Sequence, residues 1–259
     1  MKAKRRLTTP STANRPPPSL RDRLSQSQNL NRLLAALPQD VYERVASNLE
    51  IIPLPLKVFL YKPGESVSHV HFPGGGFCSI VTVLADGSMV EVATIGREGM
   101  LGLSSVSGSR RGASAAMVQA ESSICYKISL AVYRREMNLR GPFYELLTAY
   151  AQALTGVIMQ STACNAVHSV EQRLARWLLM AHDRVGTDEF LLTQEFVAMM
   201  LGATRPTVTI VAGTLQRAGL ITYHRGHVAI VDRPALESAS CECYRAAADL
   251  MTGVTTAAA

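Results

Sequence analysis

The stretch TQEFVAMMLGATRPTVTIVAGTLQRAGLI, from Thr193 to Ile221, carries two helices and the stop between them. The Thr193 hydroxyl can cap a helix. Phe196, Val197, Met200 and Leu201 give that helix one apolar face. Gly202 ends it, because glycine takes left-handed dihedrals at no steric cost. Ala203 and Thr204 complete a short turn, and Thr204 can cap the next helix. Pro206 fits there because the first helical turn has no intrahelical use for its N–H. From Arg205 on, Val208, Val211, Ala212 and Leu215 recur at i, i+3, i+4 and i+7 and face inward. Arg205, Thr207, Thr209 and Gln216 face the other way, and Gly219 stops the helix. Leu220–Tyr223, the turn His224–His227 and Val228–Val231 then read as a two-stranded wing.

Helix, short turn, helix and hairpin make a winged helix-turn-helix. The chemistry suits duplex DNA. A helix N-terminus rich in hydroxyls meets phosphate oxygens. An arginine there can donate twice to a guanine edge, and Arg225 and a histidine of the wing lie beside the backbone. Spacing alone leaves a second reading open, two core helices followed by an unrelated hairpin.

Outward from this stretch, the pattern changes twice. Residues 169–184, with Leu174, Trp177, Leu178 and Ala181, predict another amphipathic helix, and a domain boundary falls near 166–170. In residues 141–168, Phe143, Leu147, Tyr150, Leu154 and Val157 step by four and three. That seam can pair with its own copy or lie on the core of one chain. Residues 51–130 read as short strands broken by Pro63-Gly64, Pro73–Gly76 and the Asp86-Gly87 turn, which suggests a small antiparallel roll or barrel. Residues 29–48 predict two short helices parted at Pro38.

The 259 residues suffice for one large domain or two modest ones, and 47% are apolar. The net charge of +6 resides wholly in residues 1–25, where seven basic residues stand against Asp22 alone. Residues 1–27 are therefore expected to be a disordered basic tail adding nonspecific attraction to nucleic acid. No apolar run follows these basic residues and none reaches membrane-spanning length. The expectation is a cytoplasmic chain with no membrane contact. The five cysteines are odd in number and irregularly spaced, which suits reduced thiols. Cys241-Glu242-Cys243 is their one close pair, and a lone CxC is weak metal evidence, so no metal site is expected. No nucleophile–base motif and no phosphate-binding glycine loop is found, so no enzyme activity is expected.

Together with the segments YKPGE (Tyr61–Glu65) and GREGMLGL (Gly96–Leu103), the order of roll, long helix and the Thr193–Ile221 motif resembles the cyclic-AMP receptor protein/FNR (Crp/Fnr) family over residues 30–240. The resemblance implies an α+β chain. Residues 28–140 become a cyclic-nucleotide-binding-like sensor roll of jelly-roll type, 141–168 a dimerisation helix, 169–240 the winged helix-turn-helix and 241–259 a C-terminal tail. It implies a transcription regulator that binds a palindromic promoter site as a homodimer, with the seam from Phe143 to Val157 as dimer interface. RNA polymerase is a further candidate partner.

At the family's ribose-anchoring Glu and phosphate-anchoring Arg, this chain has Leu103 and Ala113, and it keeps the following Ser114. A leucine and a methyl replace neither group, and Arg110 and Arg111 belong to a turn just before. Control by cyclic AMP or cyclic GMP is therefore not expected, and the effector and any cofactor stay unknown. The alternative is an effector-independent regulator whose roll is a dimer scaffold or polymerase-docking surface. The family's iron–sulfur branch needs N-terminal cysteines, and none precedes Cys78. No residue stands out as a haem ligand, and His69 and His71 share one strand face as a surface feature. In the reading helix Arg205 matches a base-reading arginine, while Pro206 and Ile210 replace two other base readers, so the operator should differ. Gln194, Thr204 and Thr207 match phosphate contacts, and His224 matches a wing contact.

Overall fold

The computed structural model describes Gln26, residues 29–103 and residues 114–256. The basic segment 1–25, Arg110, Arg111 and Ala113 lie outside the described residues.

Two short helices open the described chain, α1 (Arg32–Ala35) and α2 (Gln39–Ala46). Buried Asn31 caps α1 and donates through Nδ2 to the carbonyls of Pro73 and Gly99, which ties the helix to the roll. Seven strands follow: β1 (Glu50–Leu54), β2 (Phe59–Tyr61), β3 (His69–Pro73), β4 (Phe77–Val83), β5 (Met89–Ile95), β6 (Ala115–Ala120) and β7 (Ser122–Ser129). They form two antiparallel sheets, ordered β1-β7-β3 and β2-β6-β4-β5. The Asp86-Gly87 turn does join β4 to β5. Gly87 alone takes positive φ there, and the Asp86 carboxylate accepts from the Ser88 N–H at 2.9 Å.

Helices α3 (Leu130–Asn138) and α4 (Pro142–Val167) cover the roll. The seam of α4 faces inward. Phe143, Leu147, Tyr150, Leu154 and Val157 are all at most 3% exposed, and all but Val157 join the roll's main core. Tyr150 donates to the Met100 carbonyl at 3.0 Å. A Cβ on Gly99 would stand 2.5 Å from the Tyr150 hydroxyl, so the GREG turn needs glycine at that point. This corrects the seam's assignment as dimer interface: a four-three repeat marks a buried face, whichever partner buries it.

Beyond α4 come α5 (Val170–Val185), β8 (Glu189–Leu191), α6 (Gln194–Leu201), α7 (Arg205–Arg217), β9 (Ile221–His224), β10 (His227–Ile230), α8 (Arg233–Ala239) and α9 (Cys243–Thr256). The expected C-terminal tail is largely helix. In α9, Ala247 and Val254 are buried, and Val254 joins the roll's core beside α4. The wing has three strands, ordered β8-β10-β9, because Glu189–Leu191 pairs with β10.

A second core unites α5 to α8 and the wing strands with Phe77, Val81 and Ala115 of the roll. The roll and the C-terminal helices thus share buried side chains. Arg184, at the end of α5, pairs with Glu98 of the GREG turn at 2.7 Å, both side chains mostly buried. His71 departs from the expected surface feature: it is 8% exposed, and burial above all pushes its pKa down to about 4. The CxC pair also has company, since Cys164 lies beside Cys241 and Cys243 in a small buried cluster. Among the described residues, no single helix is long and apolar enough to cross a membrane.

Candidate nucleic-acid interface

Each end of the α6–α7 unit is set by a local rule. Thr193 caps α6 by accepting from the Phe196 N–H at 3.3 Å. Gly202 ends α6 with φ of 57°. Thr204 caps α7 by accepting from the Thr207 N–H, with the two hydroxyls 2.9 Å apart. The chain bends by 103° between the helices, as helix-turn-helix units do. Val208, Ala212 and Leu215 of α7 are buried in the second core. Arg205, Pro206, Thr209, Ile210, Gln216 and Arg217 remain exposed.

The β9–β10 hairpin turns at Arg225 and Gly226, both with positive φ (50° and 82°), which is the two-residue geometry that suits strand twist. His224 and Arg225 are exposed at its tip. Two hydrogen bonds lock the hairpin to the helices. The Tyr223 N–H donates to Gln216 Oε1 at 2.8 Å, and the Tyr223 hydroxyl donates to the Leu192 carbonyl at 2.9 Å. Burial raises the Tyr223 pKa to about 12, so this phenol stays a donor.

Helix and hairpin enclose a groove. Gln194, Arg205, Thr209, Gln216, Tyr223 and Arg225 line it, and no carboxylate does. Thr209 Oγ1 lies 2.9 Å from Gln194 Oε1 and 3.0 Å from the Arg205 carbonyl. Five residues singled out from sequence, Gln194, Arg205, Thr209, Gln216 and Arg225, therefore share one concave surface. Thr204 and Thr207 sit at its α7 end, and His224 on the wing. Tyr223 was not singled out, since an alternating strand says which face a residue takes but not which helix it meets. Such a surface offers two guanidiniums, amides and hydroxyls to an anionic, hydrogen-bonding polymer.

Residues 172–239 match the family model of a Crp-like helix-turn-helix domain. This segment is therefore a Crp-like helix-turn-helix domain. Solved Crp/Fnr structures share its fold across the roll and the reading domain. A transcriptional regulator assigned to the family, from Eubacterium rectale, is 20% identical with a TM-score of 0.63, covering 84% of this chain and 99% of its own. FixK2 from Bradyrhizobium japonicum is 15% identical with a TM-score of 0.63, covering 74% and 98%. A CRP-family regulator from Thermus thermophilus is 19% identical with a TM-score of 0.60, covering 73% and 95%. Among curated protein sequences none matches the chain.

Leu103, which the sequence resemblance aligns with the family's nucleotide-anchoring carboxylate, is partly buried against the roll's core. Ser114 is partly exposed just ahead of β6, and Ala113 falls outside the described residues.

Proposed function

We propose that this regulator binds a two-fold symmetric promoter site as a homodimer, with one α7 in the major groove of each half-site and without control by cyclic AMP or cyclic GMP. The observation that carries the reading is the carboxylate-free groove between α7 and the wing. Arg205, in the first turn of α7, reads a guanine through two donors. Ile210 is 67% exposed on the same helix, an apolar side chain suited to a thymine methyl. Thr204, Thr207 and Gln194 hold phosphates, as do His224 and Arg225 on the wing.

The dimer forms along the face of α4 turned away from the roll. Thr148, Gln152, Thr155, Met159, Thr162 and Ala166 are exposed and follow each other by four and three. Met159 alone is 67% exposed. Small and hydroxylated residues let two such helices approach closely. Capture of genomic fragments by the purified protein tests the whole reading. It should return an inverted repeat with half-sites about 10 base pairs apart, or a multiple of this. An asymmetric consensus would overturn the dimeric reading, and no enrichment would overturn specific binding.

A further inference from the structure

Three cysteines and one histidine, distant in sequence, converge where the long helix hands the chain to the reading domain. Cys164 and His168 lie one helical turn apart at the end of α4, and Cys241 and Cys243 stand at the start of α9. One ligand atom from each lies within 4.8 Å of all the others. Cys164 Sγ is 3.5 Å from Cys241 Sγ, and Cys243 Sγ is 3.6 Å from His168 Nδ1. A tetrahedral zinc with ordinary Zn–S and Zn–N bonds holds its ligand atoms about 3.5–3.8 Å apart. The three thiols form a buried cluster separate from both apolar cores.

Buried cysteines often serve only as small apolar side chains. The polar surroundings here argue otherwise. His168 turns Nδ1 to the sulfurs, while its Nε2 lies 3.3 Å from Glu242 Oε2. A carboxylate on the far ring nitrogen fixes the tautomer that leaves Nδ1 free to ligate. Gln160 Nε2 donates to Cys243 Sγ at 3.1 Å, a bond that suits a sulfur carrying negative charge. The Arg173 guanidinium interacts with Cys164 and Cys241, offsetting the net negative charge that three thiolates, one imidazole and a divalent cation carry.

We propose that Cys164, His168, Cys241 and Cys243 form a Cys3His site for one tetrahedral zinc ion. Binding releases the thiol protons and involves no electron transfer. The matched helix-turn-helix segment, residues 172–239, lies entirely between the two ligand pairs. The ion therefore clasps the chain where it enters the reading domain and where it leaves. Arg173 extends the link by donating to the Leu201 carbonyl at the end of α6. Three thiolates select zinc over magnesium or calcium, which prefer oxygen.

The test uses the full chain, purified under reducing conditions without added chelator. Elemental analysis should give about one zinc per chain. Replacement by cobalt should give intense thiolate-to-metal charge transfer and the visible bands of a tetrahedral ion. Cys164→Ser and Cys243→Ser should lose the metal, and Cys78→Ser, in β4, should keep it. His168→Cys should retain a tetrahedral site with a shifted cobalt spectrum. Circular dichroism reports whether each variant is folded, and if the serine variants unfold, the wild-type cobalt spectrum decides. A folded wild type that takes up neither zinc nor tetrahedral cobalt overturns the proposal. So does zinc retained unchanged by both serine variants.

Discussion

The Trp177 indole on α5 donates its Nε1–H to the Glu91 carboxylate on β5 at 2.8 Å, joining the reading domain to the roll. The Ser79 hydroxyl donates to the other carboxylate oxygen. Burial is the main reason the Glu91 pKa rises from 4.5 to about 7, against the opposing pull of these two donors and of Arg184 and Arg176. Folded protein holds this proton where unfolded chain has lost it. The stability that the retained proton confers is present at acid pH and falls as pH rises from 4.5 to about 7. Glu91→Gln removes that fall, raising stability above pH 7 relative to the parent by at most about 3 kcal/mol. Thermal melts of both proteins at about pH 5 and about pH 8 measure the difference. A variant gaining nothing at the higher pH would show that folding does not raise the Glu91 pKa.

The two faces of α4 should respond oppositely to a charge. Leu154→Glu places a carboxylate in the roll's core, costing roughly 4 kcal/mol or more and unfolding much of the protein. Met159→Glu lies on the exposed stripe and should leave the circular dichroism intact while sedimentation shows monomers. A folded Met159→Glu dimer would place the partner elsewhere.

Cyclic AMP and cyclic GMP should show no heat of binding by titration calorimetry. Leu103 is apolar and packed against the core, and it offers no acceptor to a ribose hydroxyl. Micromolar binding would mean that other side chains of the roll supply both the ribose acceptor and the phosphate cation.

Arg205→Ala should reduce discrimination between the captured site and random duplex by roughly 1–3 kcal/mol while random binding persists. Thr207→Ala should weaken both modestly, since a phosphate contact carries no sequence information. Competition binding at fixed salt separates the two. Equal losses on specific and random DNA for Arg205→Ala would reduce Arg205 to a phosphate contact.

Much of the architecture was legible because it follows from local rules. The caps at Thr193 and Thr204, the glycine stop at Gly202 and the apolar spacing of α7 depend on neighbours within a few residues, and they appear in the structure. The short strands and the Asp86-Gly87 hairpin were likewise written in turn chemistry. Strand β8 escaped notice because three residues carry too little period to register, and only pairing with β10 defines it. Helix α9 is not legible from the residues after Ser240 alone, because α4 supplies the surface that its apolar side chains cover.

The sequence by itself determined the reading unit and its likeness to Crp/Fnr proteins, since helix capping and apolar period are properties of contiguous residues. Only the tertiary structure decided which partner each apolar face takes. Phe143 to Val157 announce burial at any register, but the roll, built from strands between Glu50 and Ser129, is what covers most of that seam. The same holds for Cys241 and Cys243. Two thiols at that spacing mean little alone, and a site exists because α4 ends with Cys164 and His168 where α9 begins.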